Sequence, residues 1–358
     1  MKFFNIDCHI SVIEDVKNTF TNLGHSVDSV LFSGHAWVMG KESFTTEVIT
    51  PTNWRLLDDS MCNSFYERYK HDLSGYDGFI VTYPPVFAKL FEKFNKPIIM
   101  YVPIRYEVPF SSKPHEWNKF NDFLKRTIDS GQLIPVANSL YDKKYCEYFI
   151  DREFAYIPNI CDYTKTQYSP EQDTFLYESK LNIQTPNNVI NKASLGRYKW
   201  EDIAKYKSII NIPYTSSTMS LFEHYTANIP MFMPSEKFLL ELYSNKQLSG
   251  VMSEVTWNQI ENLPQGSSIL NVHKQLRNDD PNLFNITSSM QPWFALSDFY
   301  SEDMKFINHF DSMEDLGCKI STTNLSLVSS QMAIHNKARK DKVYKDWNNI
   351  LCRIEKSK

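Results

Sequence analysis

Short apolar runs alternate with amphipathic segments in two successive sets along the chain, and this alternation limits the fold more than any other feature. The first set opens with "KFFNID", continues through "SVIEDVKNTFTNLGH", where Val12, Val16 and Phe20 recur every fourth residue and Gly24 closes the helix, and reaches "VDSVLFS". It goes on with "YDGFIVTYPP" and "KPIIMYVPIRY", separated by the helical "VFAKLFEKFN" with Phe87, Leu90, Phe91 and Phe94 inward, and ends on "QLIPVAN". Runs this apolar have no solvent face, so they read as parallel strands covered by helices on both sides. The first half is therefore expected to be a doubly wound α/β domain.

The second set has strands expected at "TFLYES", "SIINIP", "IPMFMP" and "MKFIN". Between the sets, residues 159–172 lack periodicity and read as a connection. A length of 358 residues also exceeds one usual core. The expected division is a first domain over 1–158, a second over 159–330, and a terminal helix over 331–358. Periodicity is weakest over residues 251–290.

Charge and cysteine usage exclude several function classes. A formal net charge of −4 gives no basic surface for phosphate neutralisation, so nucleic acid is not an expected partner. The basic stretch "NKARKDKVYK" reads as the solvated face of a helix. Six scattered cysteines without a CxxC pair fit neither a disulfide framework nor a zinc site. The start lacks a secretory apolar segment and no run is long enough to span a bilayer, so a cytoplasmic protein is expected, with peripheral membrane contact left open. The acid pairs in "LDDS" and "NDDP" follow no strand and read as turns, so no metal site is expected.

Chemistry concentrates at strand ends. In "NIPYTSSTMSLFEHYTANIP", Thr215, Ser216, Ser217 and Thr218 separate a strand from a helix that carries Glu223. Hydroxyls there either cap the helix or, with its free N–H groups, hold an anion. "IDCHIS" places Asp7, His9 and Ser11 on one side of an extended strand end, as an orienter and a proton acceptor or as a hydrogen-bonded structural pair. "SGHAW" offers His35 and an aromatic platform in Trp37. "VPIRYEVPF" offers Arg105 and Glu107, either ligand contacts or an ion pair between loops. Asn138 and Ser139 begin a helix and read mainly as caps.

In order along the chain, three motifs resemble the GT-B nucleotide-sugar glycosyltransferases, in particular the large retaining group. "IPNICDYTKTQYSP" resembles that family's linker at Pro158, Asn159, Asp162 and Pro170, with Tyr168 in place of phenylalanine. "SLGRYKWEDIAKYKSIINIP" resembles the segment beside the nucleotide base, which implies donor contacts from Arg197 and Tyr198. "FEHYTANIPMF" resembles the donor helix at Glu223, Ala227 and Pro230, with Asn228 where glycine is usual. The closing "HFDSMEDLGCKI" and "VYKDWNNIL" are similar to the family's last helices, the final one packing back on the first domain.

The resemblance implies two Rossmann-like domains facing a cleft and transfer of a sugar from a nucleotide-sugar to a carbohydrate or glycoconjugate acceptor, without metal or organic cofactor. It implies that Thr215, Ser216, Ser217, Thr218 and Glu223 contact the donor, with Glu223 on the ribose. Asp7, His9 and Arg105 would act in catalysis, and His35, Trp37 and Glu107 would meet the acceptor. The chain departs from the pattern where Thr215 replaces the first of the family's glutamate pair and where "DCHIS" replaces a glycine-rich turn. Lys180 and Lys192 are the candidates for the diphosphate. The alternatives are a non-catalytic glycan- or nucleotide-binding protein and a sugar-nucleotide epimerase on the same plan.

Overall fold

The computed structural model describes residues 1–104, 106–110, 113–179, 181, 188–245, 250–252 and 287–356. They fall into two compact units: Met1–Asn159 with the residues from Tyr344 onward, and the described residues between Ile160 and Val343. Arg105, Lys180, the "NDDP" turn and most of 251–290 lie outside the described residues.

The first unit carries strands β1 (Lys2–Asp7), β2 (Ser26–Leu31), β3 (Gly78–Val81), β4 (Ile98–Val102), β5 (Leu133–Ala137) and β6 (Ala155–Tyr156). Its helices are α1 (Ile10–Asn22), α2 (Asp59–Tyr69), α3 (Ala88–Phe91), α4 (Pro114–Asp129) and α5 (Leu140–Ile150). The strands pair in parallel in the order β2-β1-β3-β4-β5-β6. Every residue of β3 and β4 is buried, which is why their sequences show no alternation. "VFAKLFEKFN" is a short α3 flanked by 3-10 turns rather than one helix, and Phe94 is only half-buried. Within the core Phe79 stacks on Phe91 at 4.3 Å between centroids. The close strand approach there requires Gly78, since a Cβ would lie 2.8 Å from the Pro97 carbonyl oxygen.

The second unit carries β7 (Phe175–Glu178), β8 (Val189–Asn191), β9 (Ile209–Asn211), β10 (Met231–Pro234) and β11 (Asn308–Phe310). Its helices are α6 (Trp200–Ala204), α7 (Met219–Thr226), α8 (Glu236–Ser244), α9 (Thr287–Phe294), α10 (Met313–Thr322) and the first part of α11 (Leu325–Lys356). The parallel order is β11-β10-β9-β7-β8. Numbered from the first strand of each unit, the two sheets share one winding: the second strand lies on one side of the first, and the rest on the other. The last strand begins only at Asn308, the final residue of "MKFIN", because Met304 ends a 3-10 turn and Phe306 takes a left-handed φ of 72°.

The end of α11 belongs to the first unit, as the closing segment was expected to. There Trp347, 2% exposed, meets the rings of Phe20 and Tyr101 edge-on, each at 5.2 Å.

Candidate functional site

In doubly wound sheets ligands gather beyond the carboxyl ends of the strands, where the order reverses. In the first unit that point lies between β1 and β3, and Asp7 is the last residue of β1. Its side chain is fully buried and collects donors from both strand ends. The His9 N–H donates to Oδ1 at 2.6 Å, and Oδ2 accepts from the Thr82 hydroxyl, the Tyr83 N–H at 3.3 Å and the Asn5 amide at 3.4 Å. Burial pushes the carboxyl up to about 7, against the opposing pull of these hydrogen bonds.

Asp7 thus binds the backbone of His9, a surface residue whose ring stands edge-on to Tyr83 at 6.3 Å and is held below its ordinary pKa chiefly by burial against the surrounding protein. The pairing of Asp7 with the imidazole that the sequence suggested is not formed. His35 and Trp37 are exposed on the loop after β2, and the Ser33 hydroxyl accepts the His35 N–H at 3.2 Å. Glu107 is 2% exposed. Ser139 caps α5, as read from the sequence, accepting the Asp142 N–H at 2.9 Å. Asn138 donates to Asn159 at 2.9 Å, and Asn159 to Asp15 at 2.8 Å, so this strand end is a buried polar chain.

In the second unit the corresponding point lies between β7 and β9, and a cavity of about 260 Å³ occupies it. Glu178 and Ser179 at the end of β7, Asn191 and Lys192 at the end of β8, and Asn211, Pro213, Tyr214 and Thr215 at the end of β9 contribute to its wall. Tyr198 and Phe299 add aromatic surface, and Thr218 and Ser220 add hydroxyls from the start of α7. Gly196, in the wall before Tyr198, has φ 64° and ψ −125°, a conformation open to glycine alone.

Three ionisable groups form one cluster at this wall. Lys192 Nζ lies 2.9 Å from Glu178 Oε1 and 3.4 Å from His224 Nε2, while His224 Nδ1 lies 3.5 Å from Glu178 Oε2. Burial alone pushes Glu178 up, but the Lys192 charge, His224 and hydrogen bonds from Lys192 and Ser220 together outweigh it and hold the carboxylate below its ordinary value. Burial likewise pushes Lys192 down, and Glu178 together with Tyr198 reverses that and raises it. Burial, with the Lys192 charge, takes His224 down to about 3. A neutral His224 fits the geometry: its Nε2 lone pair faces the ammonium and an Nδ1 proton faces the carboxylate. The Lys192 ammonium also lies 5.2 Å from the Tyr198 ring centroid.

The hydroxyl run divides. Thr215 and Thr218 line the cavity, and Thr218 is the N-cap of α7, accepting the Leu221 N–H at 3.2 Å. Ser216 is 3% exposed and its carbonyl accepts the Asp298 N–H; Ser217 is half-buried, and neither lines the cavity. Tyr198 lines it, whereas the exposed Arg197 does not. Glu223 is also absent from the wall: the Tyr163 hydroxyl donates to it and Trp200 supplies a second donor. Burial raises its carboxyl above the ordinary range against these bonds. Glu178 and His224 did not emerge from the sequence as site residues, and Lys192 only as a candidate. Among the described residues no cluster of metal-ligating side chains occurs, and no helix is long and apolar enough to cross a membrane.

No protein-family model matches the chain, and no curated protein matches it in sequence. Solved structures do. The chain is similar to glycosyltransferases. One is the glycosyltransferase of kitacinnamycin, at 10% identity over 99% of this chain and 98% of that one, with a TM-score of 0.47. Another is the calicheamicin glycosyltransferase, at 12% identity over 98% of both chains and a TM-score of 0.41. A third is the spinosyn rhamnosyltransferase complexed with thymidine diphosphate, at 8% identity over 96% of this chain and 99% of that one, with a TM-score of 0.41.

Proposed function

We propose that the protein is a glycosyltransferase that moves a sugar from a nucleotide-sugar donor to an acceptor hydroxyl, with the donor in the second-unit cavity. The observation that carries this reading is the cavity at the reversal point of the second sheet, where aromatic faces, hydroxyls and one buried cation converge. An aromatic face suits a base or a sugar ring, and Thr215, Thr218 and Ser220 can donate to phosphate oxygens. Breaking a glycosyl phosphate bond builds charge on the leaving phosphate, which the Lys192 ammonium and these hydroxyls would stabilise.

The acceptor side of the reading uses the strand ends of the first unit. The His9 imidazole, kept neutral by its lowered pKa, would take the acceptor proton, and the exposed His35 and Trp37 would contact the acceptor. Asp7 serves as a positioning residue, since it holds the turn that presents His9 by its backbone N–H. No metal or organic cofactor enters this scheme, and a cytoplasmic setting belongs to the same proposal.

Thermal shifts of the full chain against a panel of nucleotide-sugars test it. A ligand at 100 times its dissociation constant adds ~2.7 kcal/mol, enough to raise the midpoint by a few degrees. No shift with any nucleotide-sugar or nucleoside diphosphate would refute the donor site. The bonding of Asp7 to backbone rather than to the His9 ring favours a second reading, a non-catalytic nucleotide-sugar-binding protein. A shift accompanied by neither transfer nor hydrolysis would select it.

A further inference from the structure

We propose that the carboxyl-end face of the first sheet binds an acceptor that carries a negative charge, a carboxylate or a phosphate, and that Arg55 is the residue that selects it. The inference names the acceptor class for the transferase reading above and rests on that reading.

Arg55 lies in the 3-10 turn Trp54–Leu56, between β2 and α2. The buried Trp54 ring meets Phe87 edge-on at 6.0 Å, and Phe87 meets Phe32 in the same way at 6.1 Å. Phe32 follows β2 and Phe87 lies in the turn after β3, so this aromatic row ties the turn to the carboxyl ends of both strands. Arg55 itself is exposed, and its guanidinium lies 4.2 Å from the Trp54 ring centroid. Stacking on a buried ring orients the guanidinium without using its N–H donors. Those donors make no hydrogen bond or ion pair among the described residues.

The charge of Arg55 reaches the reversal point of the sheet. Burial pushes up both the Cys8 thiol, just after β1, and the Tyr83 hydroxyl, two residues beyond β3, and the Arg55 charge pulls both back. His35 stands close enough to His9 for its charge to oppose protonation there. One guanidinium and two imidazoles therefore share this strand end. The nearby acids are engaged elsewhere. Asp7 is fully buried and held by four donors, and Glu107, whose charge also reaches Tyr83, is 2% exposed. Asp58 caps α2, and Asp59 pairs with Lys89 at 2.8 Å. A positive strand end without an acid open to it is complementary to an anion. A bound anion would also favour the protonated form of His9, and so strengthen it as a proton acceptor.

The full chain, isotopically labelled at its histidines, is titrated with glucuronic acid, glucose 6-phosphate and glucose at fixed ionic strength, and the imidazole signals are followed by NMR. His9→Asn and His35→Asn, one at a time, assign the two signals. The anionic sugars should move both signals and raise the midpoint of His9 by about one pH unit, and glucose should do neither. The stronger of the two anions distinguishes a carboxylate acceptor from a phosphate one. Arg55→Gln should lose about tenfold or more in affinity for the anion, while Arg55→Lys, which keeps the charge without the planar fork, should retain part of it.

Equal binding of glucose, unchanged affinity in Arg55→Gln, or imidazole signals that neither anion moves would overturn the inference. A nucleotide-sugar titrated separately reports on the second-unit cavity. A donor that binds while the anions do not overturns this inference and leaves the transferase reading standing. Anions that bind while no nucleotide-sugar does overturn that reading and the acceptor role with it.

Discussion

Replacing Asp7 by asparagine separates one buried carboxyl from every other titration in the protein. In the fold Asp7 sits at about 7 because of its burial, against 3.8 for the free side chain. Between those values the unfolded chain is ionised while the folded protein keeps the proton. The folded form then binds more protons, so stability falls as pH rises. The contribution is fully present below pH 3.8 and is lost as pH passes through about 7. The separation corresponds to about 4 kcal/mol.

An asparagine side chain cannot ionise, so the variant lacks this dependence. It carries a constant penalty instead, since four donors converge on the carboxyl and an amide offers only one oxygen. An N–H facing another donor costs ~1–3 kcal/mol at every pH. Guanidinium denaturation of both proteins from pH 4 to 8 gives the difference curve directly, because all other groups cancel. The wild type should lead at pH 4 and lose about 4 kcal/mol of that lead by pH 8. Parallel curves, or a wild type that gains on the variant as pH rises, would refute the reasoning.

Trp347→Ala removes a ring packed between Phe20 and Tyr101 and should lower stability by ~3–5 kcal/mol in chemical denaturation; a loss below ~1 kcal/mol would mean that the end of α11 does not hold the first-unit core. Glu223→Gln should weaken the bond from Tyr163 and cost ~1–2 kcal/mol in a thermal melt, with nucleotide affinity changed less than about threefold; a tenfold fall would show that its carboxylate leaves Tyr163 for the ribose that the family resemblance assigns to it.

The parallel strands were legible because burial on both faces leaves a continuous apolar run, as in "GFIV" and "IIMYV". Strand β8 was not, because three residues with a partly exposed pattern carry no period. "MKFIN" was placed too early because its apolar residues belong to a turn and a left-handed kink, which hydrophobicity does not reveal. In the site, Thr218 was readable as a cap since capping is local. The cluster around Glu178 was not, since its partners stand 14 and 46 positions away along the chain. One local signal did exist: "NID" and "LYE" each end the first strand of their set on an acid.

That shared position has opposite electrostatic outcomes, and the neighbours decide which. Both acids end the first strand of a doubly wound sheet, next to the reversal point, and burial pushes both upward. Asp7 meets only neutral donors, which offset part of the burial cost and leave it near 7. Glu178 meets the Lys192 ammonium at 2.9 Å, and that opposite charge, with His224 and two hydrogen bonds, more than cancels the burial cost. Through the neutral range Glu178 therefore stays ionised while Asp7 changes its proton content. A fixed carboxylate is suited to accept hydroxyls from a ligand, whereas a group at its midpoint couples to proton movement. The two strand ends accordingly differ in charge through the neutral range, one a fixed carboxylate and one a group that exchanges its proton. Exchanging the environments tests that statement physically: with Lys192→Met, Glu178 loses its cation and should shift toward the behaviour of Asp7, so that in guanidinium denaturation the variant should lose stability relative to the wild type as pH rises through the neutral range, and parallel curves would refute it.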